Sequence, residues 1–227
     1  MSKINYHIVV AAGTGSRYGG NLPKQFCDLG GRPLLMTTLE RLHAAAPDGR
    51  IILVVSREME PVWAQMCCDH SFCMPLTLVH GGASRAESVK NAVMTIDPAT
   101  VGWISVHDAA RPLVTPEMFG RLLEGLRNAD GAIPAVAVTD SLRELTIDGR
   151  SHAVDRSRYR AVQTPQLFHG NLLVRANLQE LRPEFTDDAS VMEAAGFSNL
   201  KLVEGDTNNI KVTNPGDIQR IEAILEL

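Results

Sequence analysis

Two cations in a glycine-rich loop are the first residues with chemical potential. The stretch VVAAGTGSRYGGNLPKQF (9–26) leaves an apolar run for Gly13, Gly15, Gly19 and Gly20, and it carries Arg17 and Lys24 with no acid between them. Cations beside bare backbone amides suit a polyphosphate. A dinucleotide fingerprint needs a third glycine where Tyr18 stands, and a P-loop needs Gly-Lys-Ser/Thr where Pro23, Lys24 and Gln25 stand. A plain tight turn is the other reading of the glycines, and the two cations weigh against it.

Four further clusters follow. In SVHDAARP (105–112), Asp108 suits a metal ion or a hydroxyl and Arg111 a phosphate, although an Asp–Arg pair closing a loop fits equally. His107 reads as structural. In AVDRSRYRAVQTPQ (153–166), Arg156, Arg158 and Arg160 alternate as on a β-strand, sharing one face, commonly a solvated one. In FTDDAS (185–190) the acids fall in the first turn of a helix opening at Thr186, where they serve the dipole. In NNIKVTNP (208–215), Lys211 lies between Ile210 and Val212, as a lysine aimed from a strand into a site would, or as a surface lysine at a strand end. No convincing nucleophile–base pair accompanies these groups.

The elements that must position them alternate. Strands are expected at 7–11, 50–56, 76–80, 103–108, 131–138 and 200–204. Helices are expected at 33–46, 61–69, from Ser84, from Thr115-Pro116-Glu117, at 170–181, from Thr186 and from Asn214-Pro215. Ser84 and Glu87 have capping-box spacing, and Pro116 suits a first helical position. Such alternation predicts an α/β fold with a mostly parallel sheet. Asp148-Gly149 between two short polar arms signals a hairpin with positive φ available at both turn positions. It reads as an arm over 139–160, projecting from a single domain spanning 1–227 and reaching a second subunit, or else folding onto its own domain.

The chain has 227 residues, a formal net charge of −4 and 44% hydrophobic residues, enough for one sizeable core. Mild acidity argues against a nucleic-acid binder, so an anionic ligand must meet a local basic cluster. The N-terminal run breaks early into glycines, unlike a signal peptide, and no segment is long enough to span a membrane. Cys27, Cys67, Cys68 and Cys73 lack metal-site spacing, so reduced thiols and a cytoplasmic setting are expected.

In order, AAGTGSRYGGNLPKQF, GGASRAESV, HDAARP, VDRSRYRAVQTPQ, TDDAS and NIKVTNPGD span residues 11 to 217. This set resembles the 2-C-methyl-D-erythritol 4-phosphate cytidylyltransferase family. The resemblance implies a Rossmann-like, GT-A-like nucleotidyltransferase fold, a homodimer formed through a projecting β-hairpin arm, and transfer of CMP from CTP to methylerythritol phosphate with release of pyrophosphate, in the non-mevalonate isoprenoid pathway. It implies Mg²⁺, held mainly by the triphosphate, with Asp108 as its candidate protein ligand. Ala11, Ala12 and Gly13 would meet the nucleotide through backbone groups, and Gly82 and Ser88 would face cytosine. Asp108 and Ala109 would lie at the ribose, metal and acceptor region, with Arg111 lining the same pocket. Arg17 and Lys24 would grip the triphosphate, and Lys211 would position the acceptor phosphate. Arg156 and Ser141 from a partner's arm, helped by Thr164, would bind that phosphate.

Val10, Ala83 and Ser141 depart from the family pattern, which commonly has proline, an acid and threonine there. A backbone contact at Ala83 is expected to survive. A ribitol-5-phosphate cytidylyltransferase shares most of these motifs. A sugar-1-phosphate nucleotidyltransferase shares only the loop, and a non-catalytic nucleotide-binding regulator would not need both Lys24 and Lys211.

Overall fold

The computed structural model describes residues 3–13 and 22–226. Its elements follow the alternation of apolar runs and capped segments. β1 (Ile4–Val10) leads to a 3-10 turn at Lys24–Phe26, a small ribbon of β2 (Asp28–Leu29) and β3 (Arg32–Pro33), and α1 (Leu34–Ala45). β4 (Gly49–Val55), α2 (Glu60–Asp69), β5 (Leu76–His80), α3 (Arg85–Val93), β6 (Val101–Asp108), α4 (Pro116–Leu126) and β7 (Gly131–Ala137) continue the pattern. After β8 (Arg143–Leu145) and β9 (Ser151–Ala153) come β10 (Arg160–Val162), β11 (Gln166–His169), α5 (Gly170–Ala176), α6 (Asp188–Ala194), β12 (Leu200–Glu204) and α7 (Gly216–Leu225).

Among the described residues the main sheet runs β10-β7-β11-β6-β1-β4-β5, with β12 on the other side of β7. β1 pairs in parallel with β4 and β6, β4 with β5, and β12 with β7, while β10 and β11 run antiparallel to their neighbours. Successive residues of the central strands enter opposite layers. Val9, Leu53 and Val55 pack with Leu35, Leu39 and Leu42 of α1 and Phe119 of α4. Ile8, Ile52 and Val54 pack with Val89 and Val93 of α3 and Leu173 of α5. Burial on both faces is why these strands are near-continuous in branched apolar residues.

Local chemistry sets the helix starts. Ser84 accepts from the Glu87 N–H at 3.1 Å, and Thr115 from the Met118 N–H at 3.2 Å. α6 starts at Asp188 rather than Thr186, because Asp187 and Ser190 form the reciprocal box there. α5 stops at Ala176 instead of running to 181: the Asn177 side chain turns back to the Leu173 carbonyl at 2.9 Å.

Three expectations are corrected. Arg156, Arg158 and Arg160 do not share a strand face: Arg156–Arg158 form a 3-10 turn whose first N–H groups bond Asp155, and only Arg160 enters β10. Lys211 is not on a strand. It sits in an irregular segment held by the buried Val212, whose N–H bonds the Ala110 carbonyl at 2.9 Å. In the hairpin only Gly149, at φ +81°, takes the left-handed conformation, and Asp148 does not. The Gly149 N–H bonds the Thr146 carbonyl and β8 pairs with β9, a turn followed by a left-handed glycine.

Two buried histidines tie the layers together. Nδ1 of His7 meets the Ser105 hydroxyl at 2.6 Å and Nε2 meets the Ala46 carbonyl at 2.9 Å. His107 meets Thr164 and the Arg111 carbonyl in the same way. A carbonyl only accepts, so Nε2 carries the hydrogen, and burial favours the neutral ring. Burial pulls each pKa down to about 4. The unfolded chain takes up protons near pH 6.5 and the folded chain does not. Stability is therefore full above that value and falls as pH drops toward 4, by up to about 3 kcal/mol per ring. Urea midpoints should decline between pH 7 and 5; equal midpoints at those two values would contradict the neutral, buried assignment.

Candidate active site

β1 lies between β4 and β6, where the chain order reverses, and the ends of β1, β4, β5 and β6 meet at one edge: Val10 pairs with Val54 and Asp108, and Val55 with His80. Open α/β sheets place ligands outside such a switch point. A cavity of about 640 Å³ opens there, of a size suited to a small-molecule ligand. Ala12 and Gly13, Ser56, Gly82 to Arg85, Asp108 to Ala110, Lys24, Lys211 and Thr213 contribute to its wall. A Cβ on Gly81 would fall 2.3 Å from that of Ala12, so only glycine lets the α3 turn close against the β1 loop.

Gln25 joins the two ends of the glycine loop. Its buried amide donates to the carbonyls of Ala11 at 2.6 Å and Gly13 at 2.8 Å. Lys24, beside it, is thereby carried to the cavity wall. Arg17 lies outside the described residues.

The turn before α3 spends its own donors. The Gly82 N–H bonds Ser88 Oγ at 3.1 Å, and Ser88 donates to the Ser84 carbonyl at 2.8 Å. The Ala83 N–H, expected to stay available, is taken by Glu87 Oε2 at 2.8 Å, because Glu87 reaches past the N-cap residue to the one before it. The Gly82 and Ala83 N–H groups are thus both engaged within the turn.

Asp108 is the centre of charge. One oxygen rests 2.6 Å from Lys211 Nζ and 3.8 Å from Arg111 Nε, and the other faces Arg85 Nε at 3.4 Å. Burial alone would push its carboxyl up. Arg85, Lys211 and Arg111 more than offset that and hold it well below the ordinary carboxylate range. Arg85 also meets Asp188 at 2.8 Å, and these two acids keep its guanidinium charged despite burial. Burial pushes the Asp188 carboxyl up, against the pull of Arg85. Three cations against two acids leave a net positive cluster before Lys24 is added, which suits a polyphosphate.

Several expected site residues lie elsewhere. Arg111 is outside the cavity wall: its guanidinium is buried and donates to the carbonyl of Asn209, in the segment after β12, at 2.7 Å. Thr164 is buried behind the strand end, its hydroxyl shared between the Asp108 N–H and His107. Ala11 is buried and Ala109 borders the cavity. Ser141 and Arg156 stand exposed at the base of the hairpin and do not line this cavity; Arg156 bonds the Thr139 carbonyl.

Arg85, Gln25 and Gln166 were given no role from sequence, and Asp188 was read only as a first-turn acid of FTDDAS. Gln166 accepts from the Asp188 and Ala189 N–H groups and docks α6 beside the site. The only signal for Arg85 was its place inside GGASRAESV.

For Mg²⁺, the donor set is one cavity carboxylate, Asp108; among the described residues no group of three or more His, Cys, Asp or Glu side chains gathers to hold a metal. One carboxylate suits Mg²⁺, which commonly binds through one or two carboxylates plus substrate phosphates.

The model of the 2-C-methyl-D-erythritol 4-phosphate cytidylyltransferase family matches residues 6–227. The chain belongs to that family. The family's cytidylyltransferase from Bacteroides thetaiotaomicron is 44% identical over 96% of this chain and 98% of its own, and that from Bacteroides fragilis is 42% identical over the same shares. Among solved structures, the 4-diphosphocytidyl-2C-methyl-D-erythritol synthase of Anaerococcus prevotii superposes with a TM-score of 0.81 at 26% identity, covering 99% of each chain. The Thermus thermophilus cytidylyltransferase superposes at 0.77 with 28% identity, over 99% of this chain and all of that one. The fold is therefore the nucleotidyltransferase α/β fold of this family, and the chain is a nucleotidyltransferase.

Proposed function

We propose that this enzyme transfers CMP from CTP to 2-C-methyl-D-erythritol 4-phosphate, giving 4-diphosphocytidyl-2-C-methyl-D-erythritol and pyrophosphate by direct in-line attack of the acceptor phosphate. The observation that carries the chemistry is the cluster of cations around Asp108 in a cavity lined, among the described residues, by no histidine or cysteine. A phosphate monoester needs no general base, since its second pKa is about 6. The obstacle is an anion approaching a polyanion, so positioning and charge neutralisation should supply the catalysis.

Lys24 sits on the glycine-loop side and grips the triphosphate, with Arg17 as its expected companion. Lys211, also on the cavity wall, directs the acceptor phosphate to the α-phosphorus. Asp108 anchors Lys211 and is the side chain that would hold Mg²⁺; the ion would neutralise charge on the triphosphate oxygens. Gly82 and Ser88, on the α3 side of the cavity wall, would face cytosine.

The homodimer belongs to the same proposal. β8 and β9 form a two-stranded sheet apart from the main one, with Leu145 and Ile147 exposed near its tip. Arg156 and Ser141 at its base would serve a partner's site. Mixing Arg156→Ala with Lys24→Ala chains should restore part of the activity, because one hybrid site is intact. No recovery in proven heterodimers would mean that each site is built from one chain. No helix of the described residues is long and apolar enough to cross a membrane, and a cytoplasmic setting is proposed.

Pyrophosphate release across a panel of nucleotides and acceptors tests the reading. CTP with methylerythritol phosphate should give the fastest release. Faster release with ribitol 5-phosphate would reassign the acceptor. Nucleotide binding with no release on any acceptor would favour a regulator.

A further inference from the structure

We propose that Arg85 is a positioning residue: it bridges Asp188 and Asp108 and so fixes the carboxylate on which the Lys211 ammonium rests. The inference builds on the CMP-transfer reading above. Arg85 opens α3 directly after its Ser84 cap, and its guanidinium crosses to two other elements. Nη2 lies 2.8 Å from Asp188 Oδ2 at the start of α6, and Nε lies 3.4 Å from Asp108 Oδ1 at the end of β6. Lys211 takes the other Asp108 oxygen at 2.6 Å.

Oδ1 of Asp108 thus faces Arg85, while Oδ2 is shared by Lys211 and, beyond hydrogen-bond reach at 3.8 Å, Arg111. Lys211 would follow any rotation of the carboxylate, and a guanidinium at 3.8 Å makes no hydrogen bond to oppose it. The planar fork of an arginine, itself anchored on the buried Asp188, stops that rotation. Asp188 is in turn fixed, its N–H bonded to Gln166 Oε1 at 3.1 Å. The order α6, Asp188, Arg85, Asp108, Lys211 carries the rigidity of a helix end to an ammonium in the cavity. A buried ion pair adds little net stability over an apolar pair of the same volume. The geometric consequence at Lys211 is therefore the larger effect, because a misplacement of about 1 Å costs up to about 10²-fold in rate.

The alternative is that Arg85 merely neutralises Asp188. Four chains separate the two: wild type, Arg85→Met, Arg85→Met/Asp188→Leu and Arg85→Lys. Melting temperature and kcat for pyrophosphate release are measured with CTP and methylerythritol phosphate saturating. Arg85→Met should melt lower and turn over slowly. Adding Asp188→Leu should restore melting while kcat stays at least tenfold down. Arg85→Lys keeps the charge but cannot span both carboxylates; it should melt near wild type with kcat at least fivefold down, and it decides the matter if the double variant does not fold. Recovery of kcat together with melting in the double variant, or wild-type kcat in Arg85→Lys, overturns the proposal. A wild-type chain inactive with every acceptor sinks the function reading itself; an active wild type with unaffected Arg85 variants sinks only this inference.

Discussion

Lys211→Ala and Lys24→Ala chains should each lose about 10²–10³ in kcat, equivalent to about 3–4 kcal/mol of barrier, by analogy with the loss of one preorganised donor to a developing charge. Both should remain folded. Asp108 keeps Arg85 and Arg111 when Lys211 is removed, so its charge is still compensated. The Lys211 side chain is 41% exposed, and Val212 rather than the ammonium anchors the segment. Single-turnover release of pyrophosphate alongside a melting curve checks this. Turnover within a few-fold of wild type in either chain removes that lysine from the mechanism.

Asp108→Asn is the second large effect, and it falls on stability as well as rate. Removing one charge leaves Arg85, Arg111 and Lys211 around a neutral amide, with Asp188 as the remaining acid of the cluster. Breaking a buried pair commonly costs about 3–5 kcal/mol. The lower end, about 3 kcal/mol, applies here because Lys211 can turn to water and Arg85 keeps Asp188. For a domain of this size that is a melting shift of roughly 6–12 °C. Activity should fall with it, since Lys211 loses its anchor and the cavity its carboxylate. An Asp108→Asn chain that melts like wild type would mean that Asp108 serves only as a ligand and holds nothing in place.

Most of the scaffold was legible because local chemistry decides it. Branched apolar runs marked β1, β4, β5 and β6, and Ser84 and Thr115 marked helix starts through caps they do form. The ordered motifs brought Lys24, Asp108 and Lys211 into one cavity although nearly the whole chain separates them. What stayed hidden depends on distance or competition. Arg85 and Asp188 lie 103 residues apart, and each looks like an ordinary first-turn residue until the sheet brings two helix starts together. The arginines at 156–160 have a strand's alternation, but Asp155 captures the Ser157 N–H and makes a 3-10 turn. Arg111 and Thr164 carry groups suited to phosphate, and both are drawn inward by carbonyl and imidazole partners that no spacing reveals.

The central claim is that cations around Asp108 let the acceptor phosphate attack the α-phosphorus of CTP directly. The stereochemistry of transfer from one diastereomer of CTP carrying sulfur at the α-phosphorus tests it in one measurement. Single in-line displacement predicts inversion at phosphorus in the diphosphocytidyl product. Retention, as a covalent CMP-enzyme intermediate would give, contradicts the account.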